Sequence, residues 1–273
     1  MIELLALDLD GTLIDEQMTI PDRVRQAALQ AQRHGTIVTL ATGRMLQGTL
    51  PFARELEIEA PLICYQGGLI QAPDAEKPLY RATMDRELVR DALAWRGDGV
   101  GRDWHVVLYA DDALFVAERR YPESFYRDLL GENLHWVDDL LSVLNHHNPV
   151  KFLFVADPDE ADEIETAMRQ RFGREMEIVR SHANFVEGNP LGVSKGDALS
   201  RLASHLEVPQ ERVMAVGDQG NDVSMIGWAG VGVAMGNGSP AAKEVADWVA
   251  PPFEEHGAAA AIDRFILNPP SAS

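Results

Sequence analysis

The sequence Leu4-Leu5-Ala6-Leu7-Asp8-Leu9-Asp10-Gly11-Thr12-Leu13 decides the fold of this chain. Its first four residues are apolar, which is typical of a strand buried in a parallel sheet, so the strand is predicted to end where the acids begin. Side chains alternate along an extended chain, so Asp8 and Asp10 are predicted to face one small space, and Gly11 permits a sharp turn after them. Two carboxylates in one space are typical of a hard-cation site, an acid–base pair, or both. An isolated Asp-x-Asp also occurs in surface turns, so the rest of the chain has to decide between these interpretations.

The composition limits the class of protein. A chain of 273 residues favours one large domain and a smaller one. A formal net charge of −19 argues against a nucleic-acid groove and against binding to an anionic membrane surface. The single cysteine, Cys64, excludes an intrachain disulfide, and no apolar run approaches the roughly 18 residues of a membrane span. We therefore expect a cytoplasmic protein with neither nucleic-acid nor membrane partners.

Strands and helices alternate on both sides of the first motif. A helix from Pro21 to Gly35 is predicted to cross over to a second strand at 36–41, which ends at Thr42. Much later, the apolar run 213–217 ends at Asp218. Because the carboxyl ends of parallel strands meet at one edge of a sheet, we expect Asp8, Asp10, Thr42 and Asp218 to lie together there.

Residues 84–188 have a different pattern. Paired strands and helices alternate there, which predicts an antiparallel sheet with helices on one face. The predicted fold is therefore an α/β core, a Rossmann-like doubly wound parallel sheet formed by 1–83 and 189–273, with an inserted α+β domain at 84–188. We also expect a flexible glycine-rich connector at 97–101 and a frayed tail from Asn268 onward.

Four stretches in order resemble the motifs of haloacid dehalogenase-like (HAD) phosphatases. They are Asp8-x-Asp10-Gly11-Thr12-Leu13, Thr42-Gly43-Arg44, Lys195 at the start of a helix, and Gly217-Asp218-x-x-Asn221-Asp222. The resemblance covers nearly the whole chain, and the insert lies where Cof-type members of the family carry a large α/β (C2-type) cap. Gln66-Gly67-Gly68 departs from the Asn-Gly-Ala that is common in the family, but it still permits a tight turn.

The resemblance implies a role for each motif residue. Asp8 would be the nucleophile that forms an aspartyl-phosphate, and Asp10 the acid and base. Mg²⁺ would be the cofactor, with Asp8, Asp218 and the backbone carbonyl of Asp10 as its ligands. Asp222 would orient Lys195. The groups implied to bind phosphate are the amides of Leu9 and Gly43 and the side chains of Thr42, Lys195 and Asn221.

The function implied is a Mg²⁺-dependent phosphatase of small phosphorylated metabolites such as sugar phosphates, acting as a monomer or weak homodimer. A phosphosugar mutase similar to phosphomannomutase is the alternative within the same fold, because it would use the same Asp8 but return the phosphoryl group to the sugar. A non-enzymatic receiver-type phosphoacceptor is a third reading, although such a module would be much shorter and lack an insert. Dehalogenase chemistry is disfavoured, because it needs neither the second acid nor a metal.

Overall fold

The computed structural model of the chain describes residues 1–15, 17–97, 104–130 and 133–269. Most of the connector predicted at 97–101 and the end of the predicted tail lie outside these residues. The chain divides into two compact units: a core unit of residues 1–80 and 194–273, and an insert unit of residues 81–193. No helix in the described ranges combines the length and the apolar character needed to cross a membrane.

The strands, in chain order, are β1 (Leu4–Leu7), β2 (Ile37–Leu40), β3 (Leu62–Cys64), β4 (Leu69–Gln71), β5 (Tyr80–Arg81), β6 (His105–Ala110), β7 (Ala113–Val116), β8 (Leu134–Trp136), β9 (Pro149–Val155), β10 (Met176–His182), β11 (Phe185–Pro190), β12 (Val213–Gly217), β13 (Val231–Ala234) and β14 (Trp248–Val249). The α-helices are α1 (Asp22–Arg33), α2 (Leu46–Glu55), α3 (Arg86–Gly97), α4 (Leu140–Val143), α5 (Pro158–Phe172), α6 (Lys195–His205), α7 (Val223–Trp228), α8 (Pro240–Val245) and α9 (Gly257–Ile262). Two π-helical segments span Phe125–Leu130 and Asp263–Leu267.

A parallel sheet in the order β14-β13-β12-β1-β2 forms the centre of the core unit. All four residues of β1 are buried, and Leu4 is in register with Ile37 on one side and Val213 on the other. The crossovers thus place β2 on one side of β1 and three strands on the other, which is the order of a doubly wound sheet. The predicted Rossmann-like core is confirmed.

A second, three-stranded sheet, in the order β3-β4-β5, follows β2 along the chain. A single parallel bridge between Ala41 and Ile63 connects β3 to the end of β2. Between β3 and β4 the chain turns through three consecutive left-handed residues, Tyr65, Gln66 and Gly67, with φ values of 51°, 58° and 103°. We call this segment the 65–67 turn.

The insert unit contains a six-stranded sheet in the order β10-β11-β9-β6-β7-β8. Its neighbouring strands are antiparallel, as predicted, except that β7 and β8 are parallel, with Leu114 opposite Leu134. The sequence analysis predicted no strand at 134–136. The parallel pairing follows because the chain passes through the π-helical segment Phe125–Leu130 before β8, and such a crossover returns the chain in the same direction. Phe152, Phe154 and Phe172 belong to the buried core of this unit.

Candidate active site

The carboxyl ends of β1 and β12 and the start of α6 bring four ionisable side chains together in the core unit. Asp8 directly follows β1, and its backbone N–H donates to the carbonyl of Val216 at 3.0 Å, which fixes where the strand ends. Asp8 is 4% exposed, Asp218 2%, and Lys195 and Asp222 are fully buried. Burial at this level means that every charge in the group has to be balanced by a neighbour.

Lys195 is the cation of this cluster. Its Nζ donates to Asp8 Oδ1 and to Asp222 Oδ1, both at 2.6 Å. Burial by itself would lower the pKa of Lys195, but the charges of Asp222 and Asp8 outweigh it and raise the pKa above its ordinary value. Lys195 therefore stays charged across the whole physiological pH range.

Asp222 is the second carboxylate that binds Lys195, and both of its oxygens accept hydrogen bonds. Its Oδ1 accepts from Lys195, and its Oδ2 accepts from the backbone N–H groups of Asp218 at 2.8 Å and Gln219 at 3.0 Å. Close packing enforces this arrangement, because a Cβ at Gly217 would collide with the Asp222 side chain. Asp222 thus connects the end of β12 to the lysine.

The three carboxylates of the cluster outnumber its one lysine. Burial, followed by the charge of Asp222, raises the pKa of Asp8 well above its ordinary value and raises that of Asp218 to about 7, although Lys195 acts in the opposite direction on both. Asp8, Asp218 and Asp222 offer carboxylate oxygens within 4.8 Å of one another, against one lysine. A set of oxygen ligands with excess negative charge can hold a hard divalent cation.

Gly11 makes room for Asp218. Its φ is +82°, in the left-handed region, and a Cβ at this position would lie 2.5 Å from Asp218 Oδ2. The turn begins with the carbonyl of Leu9, which accepts the backbone N–H groups of Thr12, Leu13 and Ile14. The glycine is therefore required both by the backbone conformation and by the carboxylate beside it.

Gly11→Ala should damage the site more than the fold, and the chain offers a matched control in Gly35→Ala. Gly35 has φ +88° with nothing within 4 Å of its Cβ position. Both variants should lose about 1–2 kcal/mol of unfolding free energy in chemical denaturation, since both force alanine into the left-handed region. Only Gly11→Ala should also displace Asp218 and lower turnover. Equal activity losses in the two variants would contradict this account of Gly11.

Asp10 is more exposed than the buried cluster, although its charge contributes to the raised pKa of Asp8. Its side chain is 53% exposed, and Arg44 binds it with two hydrogen bonds, Nε to Oδ2 at 2.9 Å and Nη2 to Oδ1 at 2.6 Å. Asp10 lies beyond the end of β1, and the bidentate guanidinium of Arg44 holds its carboxylate.

The groups expected to bind phosphate lie on the loops after β1, β2 and β12 and, for Lys195, at the start of α6. Thr42 is buried, and its Oγ1 accepts the backbone N–H of Arg44 at 3.1 Å. Gly43 packs directly against the side-chain amide of Gln66, because a Cβ at 43 would collide with Gln66 Nε2. Asn221 donates from Nδ2 to Gln66 Oε1 at 3.0 Å. The structure therefore connects Asn221 to the Thr42–Gly43 turn through Gln66.

Sequence reasoning gave no role to Arg44 or Gln66. Arg44 was visible as the third residue of Thr-Gly-Arg, and a cation between acidic motifs in a chain of net charge −19 was a usable signal. Gln66 was visible only as a departure from the usual family residue, and its contacts depend on the left-handed 65–67 turn, which no periodicity predicts.

Comparisons with known proteins agree with this geometry. Residues 5–262 match the family model of haloacid dehalogenase-like hydrolases. The chain is 31% identical to 5-amino-6-(5-phospho-D-ribitylamino)uracil phosphatase YcsE of Bacillus subtilis (97% of this chain, 96% of the relative). It is 27% identical to YitU of the same organism, which has the same phosphatase name (96% and 97%).

Solved structures show the same fold. A haloacid dehalogenase-like hydrolase from Bacteroides thetaiotaomicron is 29% identical and superimposes with a TM-score of 0.82 over 97% of this chain and 99% of that one. The family model covers far more than half of the chain, and the similar proteins match it almost from end to end. This chain is therefore an enzyme that belongs to the haloacid dehalogenase-like hydrolase family.

Proposed function

We propose that this enzyme is a Mg²⁺-dependent phosphatase of small phosphorylated metabolites that works through an aspartyl-phosphate on Asp8. The observation that carries the proposal is the contact of Lys195 Nζ with Asp8 Oδ1 at 2.6 Å inside a buried cluster. It fixes the carboxylate with one oxygen engaged, and it leaves Oδ2 to attack phosphorus. The relatives named as phosphatases support the reaction class.

The proposed chemistry divides one difficult step into two easier ones. In the first step Asp8 Oδ2 forms a bond to phosphorus while the bond from phosphorus to the leaving oxygen breaks. Asp10 gives that oxygen its proton. In the second step water attacks the phosphorus, Asp10 takes a proton from the water, and the bond from Asp8 to phosphorus breaks to release phosphate. Lys195 stays positive throughout and offsets the charge on the phosphoryl oxygens.

The residues present fit a magnesium ion. Asp222 accepts from Lys195 and from two backbone N–H groups, whereas Asp218 accepts, among the residues that the structure describes, only from the side chains of Gln219 at 3.0 Å and Thr12 at 3.4 Å. Asp8 and Asp218 are therefore the carboxylates that would hold the ion, together with the backbone carbonyl of Asp10. Burial, followed by the charge of Asp222, raises the pKa of both carboxylates, and a bound cation would favour their charged forms. When bound, Mg²⁺ would supply that charge and draw electrons from a phosphoryl oxygen.

The substrate class follows from the relatives and from the insert. Phosphate is common to all candidate substrates, so selectivity has to come from residues beyond the phosphate-binding groups. We assign that role to the insert, predicted as a cap at 84–188. Because two relatives are named for 5-amino-6-(5-phospho-D-ribitylamino)uracil, ribityl and sugar phosphates are the first compounds to test.

The direct test is a panel of phosphomonoesters assayed with Mg²⁺ for released phosphate, with rapid quench to trap phosphorylated protein. We expect phosphate release and an acid-stable, hydroxylamine-labile protein phosphate. Conversion of a hexose 1-phosphate to the 6-phosphate without phosphate release would favour the mutase. A protein that is phosphorylated once by acetyl phosphate and never turns over would favour the receiver-type reading.

Mg²⁺ should stabilise the enzyme more at pH 8 than at pH 5.5. The pKa of Asp218 is raised to about 7 in the folded protein, so its protonated form stabilises the fold at low pH, and that stability is lost as pH rises through 7. The cation has to displace this proton at pH 5.5 but not at pH 8. We expect the Mg²⁺-induced rise in Tm, relative to chelated enzyme, to be larger at pH 8.

The control for this measurement is Asp218→Asn, which should abolish most of the Mg²⁺-induced rise at both pH values because it removes a ligand. A rise that is unchanged in this variant, or that is larger at pH 5.5, would place the metal elsewhere. The readout needs no substrate, so it tests the metal site independently of the reaction.

Asp10→Asn should slow both chemical steps, by roughly 10²–10⁴-fold for alkyl phosphates. Aryl phosphates need less help from an acid, so with them the first step should persist and phosphorylated protein should accumulate in rapid quench. Arg44→Gln is the comparison, because it removes the ion pair but leaves the carboxyl group. If Asp10→Asn hydrolyses both classes at the wild-type rate, Asp10 has another role.

A further inference from the structure

The 65–67 turn is held in an unfavourable backbone conformation. Tyr65 and Gln66 are two consecutive non-glycine residues with positive φ, a conformation that costs free energy and persists only where the surroundings enforce it. Backbone hydrogen bonds hold both residues, from Tyr65 N–H to the carbonyl of Arg44 at 3.0 Å and from Gln66 N–H to the carbonyl of Thr42. Gly67 lies directly against the residue before α6, because a Cβ at Gly67 would collide with the carbonyl of Ser194. The turn therefore rests against the residue that precedes Lys195.

The same turn reaches the other loops of the site through Gln66, which is 2% exposed. Its backbone N–H donates to the carbonyl of Thr42 at 3.1 Å. Its side-chain nitrogen lies against Gly43, and its side-chain oxygen accepts from Asn221 Nδ2 at 3.0 Å. One residue thus contacts two of the loops that carry proposed phosphate-binding groups.

The hydrogen bond to Gln66 fixes the amide of Asn221. Gln66 Oε1 can only accept, so Asn221 has to present its nitrogen to Gln66. That nitrogen has two hydrogens, and one of them is left over. Asn221 Oδ1 is also buried, and it has no hydrogen-bond partner among the residues that the structure describes. Asn221 Oδ1 needs a donor such as a water, whereas the second hydrogen on Nδ2 can bind an acceptor such as a phosphate oxygen.

We propose that Gln66 is a positioning residue that fixes the amide of Asn221 against the Thr42–Gly43 turn, so that the remaining N–H of Asn221 binds a phosphate oxygen. This inference rests on the proposed phosphatase function. Gln66 does not touch the phosphate itself. It acts by holding the loop of Asn221 at a fixed distance from the Thr42–Gly43 turn. The unfavourable left-handed backbone of Gln66 is what places its long amide side chain between them.

The test is a double-mutant cycle between Gln66→Met and Asn221→Ala, with the dissociation constant of inorganic phosphate for the Mg²⁺-loaded enzyme as the readout. Methionine keeps the length of the side chain and removes its hydrogen bonds. Each single variant should weaken phosphate binding about fivefold to tenfold, and the double variant should weaken it no further. Additive losses in the double variant would overturn the proposal, because Gln66 would then act independently of Asn221.

The matched control is Gln71→Met. Gln71 is also a buried glutamine of the core unit, 9% exposed, and its Nε2 donates to the carbonyl of Ala75 at 2.7 Å rather than to a residue of the site. Both methionine variants should lower Tm, but only Gln66→Met should weaken phosphate binding. If both variants weakened phosphate binding equally, Gln66 would have only a structural role.

A second readout separates this inference from the proposed function. In protein labelled with ¹⁵N-asparagine, the side-chain NH₂ signals of Asn221 should be split and protected from exchange, and Gln66→Met should remove the protection. If this happens but wild-type enzyme binds no phosphate, the proposed function fails while the Gln66–Asn221 link stands. If the signals do not respond to Gln66→Met, the link itself is wrong.

Discussion

Asp8→Asn is expected to reduce Mg²⁺-dependent phosphomonoester hydrolysis by roughly three orders of magnitude or more. An amide cannot serve as the attacking group. Within the buried cluster, Asp8 is the carboxylate that both contacts Lys195 and directly follows β1. kcat/KM for an activated aryl phosphate measures the loss, and rapid quench should detect no phosphorylated protein.

The fold should tolerate this substitution. Burial and the charge of Asp222 raise the pKa of Asp8, which means that its charged form is disfavoured, so a neutral amide is tolerated there, and Lys195 keeps Asp222 as its partner. The Tm of chelated Asp8→Asn should equal or exceed that of the wild type. Asp22→Asn, with a side chain 85% exposed, is the control for the same chemical change at the surface. Retention of a tenth of the wild-type rate in Asp8→Asn would remove Asp8 as nucleophile.

Lys195→Met should cost both stability and turnover. Two buried carboxylates, Asp8 and Asp222, would lose their shared cation, and breaking a buried ion pair in this way costs about 3–5 kcal/mol. Protonation of the carboxylates can relieve part of the cost, so the deficit in unfolding free energy should grow from pH 5.5 to pH 8. Turnover should fall by roughly 10²–10³-fold, since a charge on the phosphoryl oxygens is lost.

A second substitution distinguishes charge balance from simple damage to packing. In Lys195→Met/Asp222→Asn one of the two unpaired carboxylates is gone, so stability should partly recover while turnover does not. Lys77→Met, at an exposed position, is the control for the loss of a lysine and should change neither. A double variant less stable than Lys195→Met would contradict the charge argument.

The parallel core could be predicted because its signals are local. Leu4–Leu7 and Val213–Gly217 are apolar runs that end in acids, and the βαβ order leaves few ways to arrange them. Because the carboxyl ends of parallel strands meet at one edge of a sheet, the proximity of Asp8 and Asp218 could be predicted as well. In the insert unit, the strands that form hairpins could also be predicted from alternation and turns.

What could not be predicted depends on contacts between distant residues. The Asp10 carboxylate is held by Arg44, which lies 34 residues away along the chain. The pairing of Lys195 joins it to Asp8, 187 residues away along the chain, and to Asp222, 27 residues away. The parallel pairing of β8 depended on a helical segment whose π-type hydrogen bonding has no sequence signature.

The order of the strands also governs how the enzyme is made. β1 lies between β2 and β12, yet β12 begins at Val213, so a nascent chain can pair only one side of β1 for most of its synthesis. At roughly 5–20 residues per second, the wait is on the order of 10–40 s. During that time an apolar strand presents an open edge, which other nascent chains can pair with. The insert unit, a single continuous segment, can fold within this interval. The fraction of newly made chains that fold should therefore depend on how well the open edge of β1 is protected. Chaperones or a low expression temperature, which slow aggregation, should raise that fraction without any change in the sequence.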